Sequence, residues 1–427
     1  MMAWAADTCN VVPMDLTNRR GRVFNAACVP PSKIKRESVS LAGQLRAKIK
    51  AVGPITVAEY MKEVLTNPVA GYYMHRDVIG ETGDFITSPE LGQLFGEASM
   101  VAIWCFSEWQ KMGSPIPLQL VEMGPGRGSL AVDILRVFER FGAANEVSLH
   151  LVELSPHLRQ VQSEALLVTI TRPQQTELYY QSGTTATDIP VFWYNSVQDV
   201  PRQFSCFLAH EFFDALPIHK FQARASLTED GWREVLIDID PAAGRDKFRY
   251  VMSQTPTPAS KLLIKADEKR DHVEVCPEGG VILEHLAVRL EEDGGLALFA
   301  DYGHDGTKTD TFRGFRNHQL HDPLVDPGSA DLTADVDFSY FRACVEDKLL
   351  MFGPVTQRDF LKRMGIDVRL QILLQNCDEK QKQNLLFGYH MMVDEDKMGE
   401  RFKLFSLFPS VLKEHLVRFP VSGFVDS

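Results

Sequence analysis

No apolar run in these 427 residues approaches the ~20 needed to span a bilayer, which argues against a helical membrane protein. Cysteine is sparse: Cys9, Cys28, Cys105, Cys206, Cys276, Cys344 and Cys377 lie scattered, with no C-x-x-C pair. That spacing excludes a zinc ribbon and fits a reduced compartment. Basic charge is in deficit, 45 Lys and Arg against 57 Asp and Glu, for a net charge of -12. General nucleic-acid binding and docking on anionic lipid are disfavoured, while a basic substrate suits an acidic protein. Repeats, low-complexity tracts and a secretory hydrophobic region are missing. The apolar and charged fractions, 44% and 24%, are those of a soluble globular protein, and the length suggests two or three domains.

The segment Leu118 to Leu130, LQLVEMGPGRGSL, reads as a buried strand, a tight glycine turn and the start of a helix. A ligand can approach the backbone of Gly124, Gly126 and Gly128 where side chains would block it. A dinucleotide fingerprint needs its third glycine at position 129, which here is Ser129. The pattern acidic-x-G-x-G-x-G, with Glu122 as the acid, instead resembles that of S-adenosylmethionine (SAM)-dependent methyltransferases. A plain tight turn is the competing reading, and the following elements weigh against it. Leu130 to Phe141 reads as a helix and Val147 to Leu154 as a second apolar strand that ends in Glu153. A carboxylate there accepts both hydroxyls of a ribose, so the unit is laid out for an adenosine-containing ligand.

Along the rest of the chain, Leu41 to Lys50 reads as a helix, and Thr56 caps a second, VAEYMKEVL. GYYMHRDVIGETGDFITSPE reads as an ordered loop closed by Thr87 and Glu90 at capping-box spacing. The helix behind it carries Leu91, Leu94, Phe95, Val101, Ala102, Cys105, Phe106 and Trp109 on one stripe. Val191 to Val197 and Phe204 to Ala209 are candidate strands three and four. Phe221 to Gly279 breaks the rhythm and reads as an insertion, with Trp232 to Asp240 and Lys247 to Ser253 as an antiparallel pair. A helix over Gly280 to Asp293 and a buried strand over Gly295 to Tyr302 precede a long loop, Gly303 to Phe338. Helices recur at Thr356 to Met364 and Glu379 to Met392, with a last strand at Phe402 to Phe408.

Ligands of doubly wound sheets bind at the carboxyl ends of the strands. Three groups converge there: the glycine turn with Glu122 and Glu153; AHEFFDALP, carrying His210, Glu211 and Asp214; and Asp301-Tyr302-Gly303-His304. An ordinary helix start, or for the third an ordinary loop closure, is the competing reading. A guanidinium is always charged and poorly nucleophilic. Two carboxylates such as Glu211 and Asp214 can hold it bidentately and leave one nitrogen freer to attack.

Together GYYMHRDVIGETGDFITSPE, LVEMGPGRGSL, AHEFFDALPIHKF, DHVEVCP, ADYGHDGTKTDTFRGF, DLTADVDFSY and MGIDVRL are similar to the MidA family, mitochondrial protein arginine methyltransferases that assist assembly of respiratory complex I. The resemblance covers about Leu41 to Phe408. It implies a class I methyltransferase fold, a Rossmann-like, seven-stranded, mostly parallel sheet with helices on both faces, and SAM as methyl donor. It also implies symmetric dimethylation of an arginine on a complex I catalytic-core subunit, in the mitochondrial matrix. The family's cofactor-side motifs map onto Gly83, Asp84, Thr87 and Ser88 and onto Glu122, Gly124, Gly126 and Gly128.

The expected division is a leader over 1–40, a helical region over 41–115, a SAM-binding core over 116–220, the insertion over 221–279 and the remaining catalytic domain over 280–408. The tail 409–427 receives no role. The leader is basic (Arg19, Arg20, Arg22, Lys33, Lys35, Arg36), as in a transit peptide, although its composition also suits a disordered tail. A non-catalytic SAM-binding assembly chaperone and a nucleotide-dependent oxidoreductase are the alternative functions.

Overall fold

The computed structural model describes residues 40–75, 97–171, 178–223, 231–242, 247–375 and 377–425. The leader therefore lies outside the described residues, as does most of the loop closed by Thr87 and Glu90.

Seven strands form the centre: β1 (Leu118–Met123), β2 (Val147–Val152), β3 (Pro190–Tyr194), β4 (Ser205–His210), β5 (Gly295–His304), β6 (Leu349–Thr356) and β7 (Phe402–Pro409). Their order is β6-β7-β5-β4-β1-β2-β3. Only β7 runs against the rest; β6 pairs antiparallel with it and so points the common way. This is the expected seven-stranded, mostly parallel sheet. Two short strands, Gln181–Thr184 and Thr169–Thr171, extend the edge beyond β3, and Val336–Asp337 pairs with the end of β5.

β1 and β4 are buried along their whole length, as strands covered on both faces must be. Their side chains alternate between two cores. Leu118 and Leu120 join the helices Glu97–Lys111 and Ser129–Arg140 on one face, through Trp104, Trp109, Ile134 and Phe138. Val121 and Met123 join the helix Pro277–Asp293 on the other, through Leu283, Leu286 and Leu290. On the stripe expected for Glu97–Lys111, Val101, Ala102, Cys105, Phe106 and Trp109 are all buried.

The chain leaves β1 toward β2 and β3 on one side, and returns to β4 and β5 on the other. The reversal between β1 and β4 opens the crevice in which doubly wound sheets hold their ligands.

The insertion is a separate antiparallel sheet. Trp232–Ile239 and Phe248–Met252 form the expected pair, joined by His219–Ala223, His272–Val275 and, from far upstream, Ile55–Thr56. Thr56 caps the helix Val57–Thr66 in a full capping box with Glu59.

The stretch read as one long loop carries a third sheet, Arg313–Arg316, Gln319–His321 and Asp331–Thr333. Three- and four-residue strands are too short to show a period. The helix Phe338–Val345, the strand β6 and the helix Ile366–Leu374 also had no expectation attached. The tail is integral to the core: Val421 and Phe424 are buried, and Trp104 Nε1 donates to the carbonyl of Ser422 at 3.0 Å.

Candidate active site

A cavity of about 960 Å³ opens at the carboxyl ends of the parallel strands. Its wall includes Gly124 after β1, Glu153 after β2, Asn195 after β3, Glu211 after β4 and Tyr302 in β5.

On one side lies the glycine turn. Gly124, Gly126 and Gly128 have φ of 65°, 53° and 83°, left-handed values that favour glycine. The N–H of Gly124 donates to the carbonyl of Val152 at 3.0 Å, which ties the turn to the end of β2. A Cβ on residue 124 would stand 2.7 Å from Cδ2 of Phe212. Gly124 and Gly126 line the cavity, whereas Gly128 is not in its wall and serves as N-cap of the helix Ser129–Arg140.

Glu122 and Glu153 are both buried and both line the cavity. Burial pushes the Glu122 carboxyl up to about 8, against the pull of His210 and with the push of Glu153. Its Oε2 finds no hydrogen-bond partner among the described residues. Glu153 accepts from the N–H of Ser155 at 2.8 Å and from Gln162 Nε2 at 3.2 Å. Burial raises its pKa as well, while those donors lower it.

Gln162 escaped the sequence reading. Fully buried, it donates also to the carbonyl of Gly126 at 2.7 Å and accepts from Trp193 Nε1 at 2.9 Å. One side chain thus joins the glycine turn, Glu153 and β3. A lone glutamine in a helix carries no sequence signal for that role.

The opposite side is acidic. Glu211 follows directly on β4 and takes φ 49°, a rare value for a residue with a Cβ. Its N–H donates to the carbonyl of Ala300 at 3.0 Å. Asp301 Oδ2 then accepts the N–H groups of Phe212, Phe213 and Asp214 at 3.2, 2.9 and 3.3 Å. Asp301 is buried and absent from the cavity wall; Glu211, Asp214 and His210 are in it. His210 Nδ1 stands 3.8 Å from Glu211 Oε1.

Asp214 accepts from Thr333 Oγ1 at 2.7 Å, and its carboxyl is pushed up to about 6, chiefly by burial. Further wall residues come from the third sheet and from Tyr73. Tyr73 Oη donates to Asp331 at 2.6 Å, and Asp335 pairs with Arg313 at 2.7 Å and with Lys308. Asp331, Thr333 and Asp335 fall within DLTADVDF, but their roles were not separable by sequence. Gly83, Asp84, Thr87 and Ser88 lie outside the described residues.

The donor set fits SAM. An adenosyl ligand could lie against the backbone of Gly124 and Gly126, both of which line the cavity. Glu153 lies at the end of β2, where a carboxylate could take ribose hydroxyls, and Glu122 lines the same cavity although its partnerless oxygen is itself buried.

Comparison with known proteins agrees. The family model described as "Putative S-adenosyl-L-methionine-dependent methyltransferase" matches residues 100–355. The chain is 55% identical over 397 residues to a Danio rerio protein named protein arginine methyltransferase NDUFAF7, mitochondrial, covering 91% of this chain and 92% of that one. The Homo sapiens protein of that name is 52% identical over 397 residues, covering 91% and 87%. A crystal structure from Burkholderia thailandensis, bound to S-adenosyl-homocysteine, is similar with a TM-score of 0.69 at 26% identity, covering 86% of this chain and 91% of that one. Fold and site are those of a class I SAM-dependent methyltransferase. The chain belongs to the family of the mitochondrial protein arginine methyltransferases named NDUFAF7.

Proposed function

We propose that this methyltransferase acts on arginine in a protein substrate, with Glu211 and Asp214 as the groups that hold the guanidinium. The observation that carries the reading is the left-handed backbone at Glu211, which sets this acid and Asp214 in the wall of the cavity that the glycine turn also lines. Strain of this kind costs roughly 1–3 kcal/mol and collects at functional sites.

SAM, when bound, supplies a methyl group already activated by the positive sulfur. The protein's own residues have three tasks. Glu153 and the backbone of Gly124 and Gly126 hold the cofactor. Glu211 and Asp214 orient the acceptor and draw its positive charge toward one end, which frees the other nitrogen. Asp214, pushed up to about 6, is a stronger base than an ordinary carboxylate and is placed to take up the proton that the methylated nitrogen loses. His210 completes the acceptor side.

The substrate is an arginine of a catalytic-core subunit of complex I, the product symmetric dimethylarginine, and the compartment the mitochondrial matrix, with the basic leader as transit peptide. The names of the 52–55% identical relatives support arginine as the target and the mitochondrion as the compartment; the resemblance of the motifs implies the subunit, the symmetric product and the matrix. Gly83, Asp84, Thr87 and Ser88 complete the cofactor side in the same reading.

The test is single-turnover methylation of an arginine peptide from that subunit at saturating labelled SAM. Glu211→Gln is expected to lose at least roughly a hundredfold in rate, as when one electrostatic stabiliser is removed. Asp214→Asn loses less, and both keep SAM affinity. Wild-type rates in both variants overturn the acceptor assignment. Mass spectrometry of the product decides between symmetric and asymmetric dimethylation.

A further inference from the structure

We propose that Asp301 is a positioning residue: its carboxyl group is the fixed hydrogen-bond acceptor around which the loop after β4 folds, so that Glu211 is set toward the substrate. The inference rests on the reading of Glu211 given above.

The pairing of β4 with β5 ends at His210 opposite Ala300. Had the ladder continued, Glu211 would lie opposite Asp301. Instead the chain turns out of the sheet through the left-handed residue Glu211. The turn points three successive N–H groups, those of Phe212, Phe213 and Asp214, at a single oxygen, Asp301 Oδ2. The other oxygen takes the N–H of Tyr302 at 2.8 Å. Successive backbone N–H groups that converge in this way form a nest for an anion. Here the neighbouring strand supplies the accepting oxygen.

Asp301 is 1% exposed and not in the cavity wall, so it cannot touch an acceptor. It reaches the chemistry only through the loop it organises. Its place is costly. Burial, then the charges of Asp214 and Glu211, raise its pKa, and the N–H donors are what oppose this. The same loop carries Phe212, whose ring lies where a Cβ on Gly124 would stand. One carboxyl group therefore sets the acceptor acid and the residue that packs on the cofactor turn.

A stabilising cap and a positioning residue differ in one measurable way. If Asp301 acts through Glu211, its removal has little left to damage once Glu211 is neutral. The experiment is a double-mutant cycle on the full chain, with wild type, D301N, E211Q and D301N/E211Q. Single-turnover methylation of the arginine peptide is read at saturating SAM, and SAM affinity by calorimetry.

The expected result is a loss of at least about tenfold in D301N, SAM affinity within about threefold of wild type, and a double variant within about twofold of E211Q alone. Losses that multiply in the double variant overturn the inference and leave the reading of Glu211 standing. A wild-type rate in E211Q alone overturns that reading, and the inference with it. If D301N does not fold, D301S carries the same cycle, because its hydroxyl still accepts. If neither folds, Asp301 is a folding residue and the inference is overturned.

Discussion

Two buried acids at the ends of neighbouring strands give the site a pH dependence of known sign. The Glu122 carboxyl is held near 8 in the folded chain against an ordinary 4.5. A carboxyl raised on folding contributes stability that is fully present below the ordinary value and is lost as pH climbs through the folded one. The ligand-free protein therefore loses stability between about pH 4.5 and pH 8 on account of this group. Glu122→Gln removes the dependence. The melting temperature of E122Q minus that of wild type is expected to be at least about 2 °C larger at pH 8.5 than at pH 5. Any fixed cost of the buried amide is the same at both pH values and cancels. An equal difference at the two would show that Glu122 ionises normally. Glu153 differs because its oxygens already accept from Ser155 and Gln162. Truncating it to Ala would leave the N–H of Ser155 without its acceptor and take one of the two acceptors of Gln162 Nε2, which weakens the fold as well as the cofactor site.

At the scale of elements, the tail beyond β7 is a strap that closes one face of the sheet. Val421 and Phe424 are buried against the helices Glu97–Lys111 and Gln357–Arg363, with the rings of Phe360 and Phe424 5.6 Å apart. Lys111 Nζ donates to Pro420 and Ser422, and the N–H of Ser422 donates to the buried Glu108. Removing residues 420–427 exposes apolar surface worth roughly 1.5–3 kcal/mol for each of the two side chains, and leaves Trp104 and Glu108 short of partners. The truncated chain is expected to melt at least about 4 °C below the full one in scanning calorimetry. An unchanged melting temperature would show that this segment does not carry its packing into the core's stability. β6 illustrates why some elements were not legible. Gly353-Pro354 interrupts its apolar run, and its register with β7 shifts between Phe352 and Val355. Gly-Pro reads as a turn, and the shifted register has no sequence signal.

For the whole molecule, ligand and fold are coupled because the cavity wall draws on every strand from β1 to β5. A ligand that binds only the folded chain stabilises it by about 2.7 kcal/mol at a hundred times its Kd. S-adenosyl-homocysteine at that excess is thus expected to raise the melting temperature of the wild-type protein by several degrees. Gly124→Val is expected to fold with a lower melting temperature and to show no such rise. A valine at φ 65° is strained, and its Cβ meets the ring of Phe212 at 2.7 Å. A normal rise in G124V would refute the placement of the cofactor against this turn.

What is local in the chain was legible before any tertiary contact. Glu122, the three glycines and the helix behind them occupy one short stretch, and Glu153 closes the next strand. Strand, turn and helix leave their own periods and their own residues there. The register of β4 likewise placed His210, Glu211 and Asp214 at the ligand end of the sheet. What depends on strand order came with the folded arrangement. Tyr73 meets Asp331 across 258 residues, Gln162 reaches the carbonyl of Gly126 from the helix after β2, and Asp301 collects the N–H groups of a loop nearly ninety positions earlier. A hydrogen bond between distant segments has no period along the chain. It exists only once packing of the two sheet faces has set β5 beside β4, and with that neighbour comes the carboxyl oxygen that accepts the N–H groups of the acidic loop.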